Sequence, residues 1–315
     1  MQGPLDLYAL RANRSLAEAI SHELDRPLGA LEIIDFPNEN LFVRIGENAR
    51  ERDVFLIAPL DRPVNRSVME LLITIDAFKR ASAGRITAVL PHYAYGRSDK
   101  KDQPRVPITA RLLADLLETA GVDRVLTLDL HAGQLQGFFR VPVDELSAMP
   151  LLAEAVRNHG TERLTVVTDL GFARRARLLA ESLGVPLAIV EKRREGSGAA
   201  NRARVLTVIG EVRDRRVLIV DDEVDTAGTL VEIARAVRDA GATEVRAAAT
   251  HGVLSPGSIE RIAAAPIDEL LLTDSLAARE GEGEARIRRI SVAPLLAAAI
   301  ARIHDGRSVG ALFGR

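Results

Sequence analysis

Residues 217–230 constrain this chain more than any other stretch. Val217, Leu218, Ile219 and Val220 form an unbroken apolar run in which three of the four residues are β-branched. Such a run reads as a buried strand of the kind found inside a parallel sheet. Asp221 and Asp222 are expected where that strand ends. A turn of small and hydroxyl residues follows, then a helical pattern from about 230 to 240. Successive backbone N–H groups at the opening of a helix form a concavity that suits a phosphate. Thr226 and Thr229 add hydroxyl donors, and Gly228 lets the backbone come close to a ligand. Asp221 and Asp222 would repel a phosphate, so they suit sugar hydroxyls or a divalent cation beside it. A phosphorylated sugar satisfies both halves of this arrangement. Paired aspartates at a strand end also occur in phospho-acceptor domains, and many strand-to-helix turns bind nothing.

Strand-like and helix-like segments alternate almost from end to end, which predicts α/β architecture. Strands are expected near 31–34, 54–58, 86–90, 124–128, 164–168, 187–190, 217–220, 244–249 and 269–272. Helices are expected near 15–24, 64–80, 108–120, 173–183, 230–240, 258–264 and 294–303. The chain has 315 residues, enough for two domains with a core each. Residues 117–125 and 238–245 echo one another as helix end, glycine and new strand, and His131 and His251 each follow the next strand. Two similar α/β domains are therefore expected, 1–147 and 148–292, with 293–315 as a helix and tail that return to the first domain.

The formal charge of −2 gives no reason to expect nucleic acid or a membrane as partner. There is no cysteine, which excludes disulfides and thiolate chemistry and is compatible with a reducing cytoplasm. The first residues lack the basic and apolar regions of a signal peptide, and no apolar run reaches the ~20 residues of a spanning helix. A cytoplasmic location is expected. Of 42 basic residues only Lys79, Lys100, Lys101 and Lys192 are lysine, so a compact ammonium at any of these positions draws notice.

Three further segments carry chemistry. Residues 91–107 follow a strand and are too polar for a core; Arg97 lies just past the strand end, placed for phosphate oxygens, and Pro107 is expected to open a helix. In residues 129–139, His131 beside the strand-end Asp129 suits a hard cation held through a nucleotide's phosphates. A single histidine is more often structural than a ligand. Asp169 has the same strand-end setting in the second half. Residues 191–198 place Lys192, Arg193 and Arg194 before a Gly196-Ser197-Gly198 hinge, suited either to close on a polyphosphate or to be an exposed basic turn.

Taken together, these segments resemble the ribose-phosphate diphosphokinases, or phosphoribosyl pyrophosphate synthetases, of the phosphate-activated, hexameric class. The similarity takes in residues 36–38, Asn65, 69–72, 81–83, 95–105, 129–139, 191–194, 221–229 and 250–252. The resemblance implies two phosphoribosyltransferase-like domains, each a mostly parallel sheet flanked by helices. It implies that Asp225, Thr226, Ala227, Gly228 and Thr229 hold the 5-phosphate of ribose 5-phosphate, with Asp221 and Asp222 near the ribose hydroxyls. Phe36, Asn38, Glu39 and Asn40 would meet the adenine of ATP, and Arg97, Ser98 and Asp99 its phosphates. His131, Asp129 and Asp169 would position Mg2+. Lys192 and Arg194 would be catalytic, with Arg194 also reaching the sugar phosphate. Arg50, Ser82, Arg105 and Ser308 would fall where inorganic phosphate activates and ADP inhibits. A homohexamer built from dimers would follow.

The implied reaction is transfer of diphosphate from ATP to the 1-hydroxyl of ribose 5-phosphate, giving 5-phosphoribosyl 1-diphosphate and AMP. This chain departs from the family at Asn40 (usually Glu), Ser98 (usually Gln), Arg66 (usually Asp), Phe172 (usually Gly) and Glu223 (usually apolar). Glu to Asn exchanges an acceptor-only group for one that also donates, so a different nucleotide donor is one alternative. A non-catalytic regulatory homologue and a phosphoribosyltransferase are the others.

Overall fold

The computed structural model describes residues 3–195 and 202–312; the side chains of residues 192–195 and 202–206 also lie outside the description. The chain divides into two compact units. One is Met1–Ser147 with Ser275–Ala277 and Ser291–Arg315, and the other is Ala148–Asp274 with Ala278–Ile290.

The first unit contains β1 (Leu5–Ala9), α1 (Arg14–Leu24), β2 (Leu31–Asp35), β3 (Leu41–Ile45), β4 (Asp53–Ile57), α2 (Val64–Arg80), β5 (Arg85–Leu90), α3 (Thr109–Ala120), β6 (Arg124–Leu128) and β7 (Val143–Leu146). Five of these strands form a sheet of order β1-β4-β5-β6-β7, every pair parallel. β4 is buried along its whole length, as expected of a strand covered on both faces. On α2, Val68, Leu71, Ile75 and Phe78 recur at helical spacing and enter one core with Leu56, Leu90, Leu113 and Leu117. Because the strands are parallel, the segments after β1, β4, β5 and β6 all leave from one edge of the sheet. β2 and β3 stand apart as an antiparallel ribbon, paired from Leu31↔Ile45 to Asp35↔Leu41.

The second unit contains α4 (Met149–Arg157), β8 (Leu164–Asp169), α5 (Ala173–Leu183), β9 (Leu187–Glu195), β10 (Arg202–Ile209), β11 (Arg216–Val224), α6 (Gly228–Asp239), β12 (Glu244–Gly252), α7 (Ser258–Ala263), β13 (Glu269–Thr273) and β14 (Ile287–Ile290). Its sheet has the order β10-β9-β8-β11-β12-β13-β14, with β10 antiparallel and the rest parallel. The apolar run at the head of β11 feeds two cores. Val217 and Ile219 pack with Leu230, Ile233 and Val237. Leu218 and Val220 pack with Leu152, Ala176 and Leu179. The two-residue period of a strand sends alternate side chains to opposite faces, so a sheet with helices on both sides needs apolar residues at consecutive positions.

The last helix, α8 (Ala293–His304), belongs to the first unit and packs on α1. Its end is fixed by Asp53, which is 1% exposed. That carboxylate accepts two bonds from Arg85, at 2.8 and 2.6 Å, and lies 2.7 Å from His304 Nδ1. Among the described residues no helix is long and apolar enough to cross a membrane.

The structure departs from the sequence patterns in several places. β1, β3, β7, β10, β14 and α4 are not anticipated by them. β2 is not part of the main sheet; its mixed burial belongs to a ribbon with one face on the protein. β11 does not stop before the aspartates, because β12 runs beside it as far as Val224↔Gly252. Helix α3 begins at Thr109 and not at Pro107. Its cap comes from Ser98, whose Oγ accepts the Thr109 N–H at 3.2 Å and whose carbonyl accepts that of Ala110 at 3.2 Å.

Candidate functional site

In the second unit, strand lengths set the position of the acidic pair. β11 pairs with β8 only as far as Ile219↔Val167, but with β12 as far as Val224↔Gly252. Asp221 and Asp222 therefore lie within a strand that has outrun one neighbour. Asp222 is 5% exposed, and its N–H donates to Asp221 Oδ1 at 2.9 Å. Burial pushes the Asp221 carboxyl well above the ordinary carboxylate range, and the charges of Asp222 and Asp169 push it further. Asp169 ends β8 and accepts the Phe172 N–H at 3.1 Å. Phe172 itself is buried in the core beneath α5.

The turn after β11 is held from a distance in sequence. The Leu254 N–H donates to the Val224 carbonyl at 3.1 Å, and the Ser255 N–H to that of Asp225 at 3.2 Å. The Ser255 hydroxyl donates to Asp225 Oδ1, and the Arg261 guanidinium to the Thr226 carbonyl. Ala227 is the N-cap of α6, at φ 61° and ψ 5°, a left-handed conformation that costs a non-glycine residue roughly 1–2 kcal/mol. Gly228 and Thr229 fall inside the first turn of α6. The N–H groups of Gly228, Thr229 and Leu230 thus have no partner further back in the helix and sit at the positive end of its dipole. Backbone donors and a dipole thus meet at the head of α6, with Thr226 and Thr229 in the same turn, as an anion cradle a few residues past a carboxylate pair.

In the first unit, residues 36–40 close the β2–β3 ribbon. The Phe36 N–H donates to the Asn40 carbonyl at 2.9 Å, and the Glu39 N–H returns to that of Phe36 at 2.9 Å, with Glu39 at φ 67°. Asn38 Oδ1 accepts the Asn40 N–H at 3.2 Å, which leaves the Asn38 amide nitrogen as its outward donor. Phe36 is 44% exposed and Phe42 42%, their ring centroids 6.1 Å apart. The rings are tilted by 46°, so each presents its own exposed aromatic face, and such a face suits a flat base. Asp35, just before the turn, accepts from Arg66 at the start of α2. Asn65, its neighbour on α2, accepts from the Tyr95 hydroxyl. These bonds bring the ribbon, the head of α2 and the turn after β5 together, and Arg97 is exposed on that turn.

Neighbouring residues of that turn hold structure. The Ser98 hydroxyl caps α3, and the buried Asp99 accepts from Gln134 Nε2 at 2.8 Å. Asp129, at the end of β6, is 2% exposed and accepts the Ser147 hydroxyl at 2.7 Å. His131, two residues on, is exposed. His131 belongs to the first unit and Asp169 to the second. Arg50 and Ser82 adjoin, since the Glu51 N–H donates to the Ser82 carbonyl at 2.9 Å. Ser308 lies beyond α8, its Oγ accepting the Gly310 N–H at 3.1 Å. Arg105 is elsewhere on the first unit, at φ 66°. The side chains of Lys192 and Arg194 lie outside the described residues, although their backbone belongs to β9; Gly196, Ser197 and Gly198 lie outside them entirely.

The residues that support these positions carry no signal in the sequence. Ser255 and Arg261 act on the turn after β11 from 30 and 35 residues away, with no local pattern to mark them. Arg11 and Glu70 are equally silent.

Residues 5–121 match the family described as the N-terminal domain of ribose phosphate pyrophosphokinase. Residues 187–314 match the phosphoribosyl synthetase-associated domain. A ribose-phosphate pyrophosphokinase of Rhizobium meliloti is 48% identical over 312 residues, 98% of this chain and 100% of that one. One of Caldanaerobacter subterraneus subsp. tengcongensis is 47% identical over 311 residues, 98% of each. The crystal structure of a phosphoribosylpyrophosphate synthetase from Mycobacterium smegmatis superposes with a TM-score of 0.89 at 41% identity, over 96% of this chain and 99% of that one.

Proposed function

The chain belongs to the ribose-phosphate pyrophosphokinase family, and we infer that it converts ribose 5-phosphate and ATP into 5-phosphoribosyl 1-diphosphate and AMP. The observation that carries this reading is the anion cradle of residues 225–229 a few residues beyond Asp221 and Asp222, in a chain whose other unit carries an aromatic hairpin and an exposed Arg97. A phosphoribosyltransferase needs the cradle but has no use for the hairpin.

Ribose 5-phosphate binds through its phosphate to the amides of Gly228 and Thr229 and the hydroxyls of Thr226 and Thr229. Asp221 and Asp222 accept from the ribose hydroxyls, which fixes the ring and the direction of the 1-hydroxyl. Phe36 stacks on the base of ATP, the Asn38 amide donates to its edge, and Arg97 binds phosphate oxygens, on a turn fixed by Ser98 and Asp99. The 1-hydroxyl attacks the β-phosphorus and AMP leaves. A displacement of this kind is accelerated chiefly by alignment and by neutralising spread anionic charge. Lys192 and Arg194 are the residues proposed to supply that neutralising charge.

The donor set fits Mg2+. That ion is usually held by one or two carboxylates together with substrate phosphates. Among the described residues no three His, Asp or Glu side chains are grouped to hold a metal unaided. The crowding of Asp221 by Asp222 and Asp169 is a repulsion that a cation relieves. Asp169, beside that pair, would hold the ion with the substrates' oxygens, and bound there it would neutralise phosphate charge; His131 and Asp129 would do the same for a nucleotide's phosphates on the first unit. Activation by inorganic phosphate through Arg50, Ser82, Arg105 and Ser308, a hexameric assembly and a cytoplasmic location belong to the same proposal.

The deciding assay mixes purified protein with ATP, Mg2+ and ribose 5-phosphate and measures AMP. Release that depends on ribose 5-phosphate is the expected result. No release, with both substrates still bound, would mean a regulatory homologue. Repeating the assay with GTP and CTP tests whether Asn40 has changed the donor.

A further inference from the structure

The hairpin that presents Phe36 and Asn38 is a two-stranded ribbon outside the main sheet. An isolated pair of strands is marginally stable in water; the root of this one, Leu31 and Ile45, packs on the core, and the end that carries the turn has to be fixed separately. Asp35 stands at that end. It is the last residue of β2 and immediately precedes Phe36. Two arginines from different elements reach it. Arg11, after β1, contacts Asp35 from NH1 at 2.6 Å and from NH2 at 3.3 Å. Arg66, in the first turn of α2, donates to Asp35 Oδ2.

Arg11 is itself anchored. Glu70 of α2 is 4% exposed, and a carboxylate so buried needs a charged partner. Arg11 supplies it three times over, from its backbone N–H at 2.9 Å, its Nε at 2.7 Å and its NH2 at 2.6 Å. One planar guanidinium therefore joins a buried carboxylate on α2 to an exposed one on the ribbon. Only arginine has the rigid fork for two such partners; a lysine ammonium is a single point charge.

We propose that Arg11 is a positioning residue for the nucleotide: seated on Glu70, it grips Asp35 and, with Arg66, fixes the direction in which residues 36–40 are presented. This rests on the reading of 36–40 as the base-binding turn. None of the four residues needs to touch ATP. Three of the four, Arg11, Asp35 and Arg66, are at the surface (37%, 42% and 46% exposed side chains), so removing one loosens the ribbon without emptying a core.

Asp35→Asn in the full chain is the clean variant, because Arg11→Ala would strand the buried Glu70 charge. Two readouts apply. Amide hydrogen exchange should accelerate about tenfold across residues 31–45 and stay unchanged in β4 and α2. The Kd for ATP, measured by calorimetry without ribose 5-phosphate so that no turnover occurs, should rise about three- to tenfold. In the assay, KM for ATP should follow, with kcat and KM for ribose 5-phosphate within about twofold. Arg11→Lys, which keeps the charge beside Glu70, should give a smaller change of the same kind.

Unchanged exchange in the ribbon would overturn the proposal. So would a loosened ribbon with unchanged ATP affinity, or a parallel shift of kcat and both KM values, the mark of a general structural effect. If the wild-type protein binds ATP yet releases no AMP, the functional reading fails and the binding and exchange results still judge the network. If it binds no ATP, both fail.

Discussion

The two turns proposed to take the substrates are built in opposite ways. Residues 225–229 offer backbone amides and hydroxyls at the head of α6, in a turn pinned by Ser255 and Arg261 and leading out of the buried strand β11. Residues 36–40 offer side chains on an exposed ribbon whose turn end is held by ion pairs. A phosphate is recognised by charge and donors, which any backbone offers in the right conformation, so the first turn depends on φ and ψ. A base is recognised by its face and edge, which need particular side chains, so the second depends on residue identity. Substitutions should therefore separate conformation from identity.

The largest expected effect falls on identity. Phe36→Ala removes a stacking face worth about 1–3 kcal/mol, so KM for ATP should rise roughly tenfold or more, while thermal unfolding stays within about 2 °C because the ring is already 44% exposed. A matching fall in stability would show that the ring serves the fold instead.

Conformation is tested at Ala227. A β-branched valine at φ 61° adds strain of order 1–3 kcal/mol. Ala227→Val should raise KM for ribose 5-phosphate about tenfold and lower Tm by several degrees, leaving KM for ATP unchanged. An effect on ATP of the same size would end the separation between the two turns.

A smaller change is expected at Asp221, with opposite signs in stability and activity. The folded-state pKa of this carboxyl is raised by burial and by its acidic neighbours. Between its unfolded and folded values the native state therefore holds more protons than the unfolded state, and stability falls as pH rises through that window. Asp221→Asn removes the penalty. It should raise Tm at pH 7–8 by about 2–4 °C, near 1 kcal/mol, flatten the pH dependence of unfolding and raise KM for ribose 5-phosphate by about three- to fivefold. If Tm drops, the carboxylate is held by bonds that outweigh its crowding.

The smallest effect is ionic. Raising salt screens exposed pairs such as Asp35–Arg66 and leaves backbone hydrogen bonds nearly untouched. Hydrogen exchange in residues 31–45 should rise about two- to threefold from low salt to 0.5 M (order of magnitude), with no change at 225–229. Equal responses would mean that the ribbon is not held by charge.

Much of the second unit was legible in the chain. The run from Val217 to Val220 has no polar position, so only a strand covered on both faces accommodates it. The trailing Asp225 to Thr229 carries the small and hydroxyl residues of an anion turn. The first unit was less legible. β1 and β3 are short strands of mixed burial, and such patterns occur in loops as well. Ser98 and Asp99, expected beside the nucleotide's phosphates, also hold structure: one caps α3 and the other holds Gln134. No neighbour in sequence reveals that a polar side chain already has a partner.

The sequence by itself determined the α/β alternation, the acidic pair, the small and hydroxyl residues of the turn after it and the family, because periodicity and turn chemistry are properties of adjacent residues. Tertiary structure decided how far β11 outruns β8, which carboxylate is pushed off its ordinary pKa and how Asp35 is gripped by residues 24 and 31 positions away. Those depend on which strands and helices come to lie side by side, and burial and charge pairing exist only once the chain has folded.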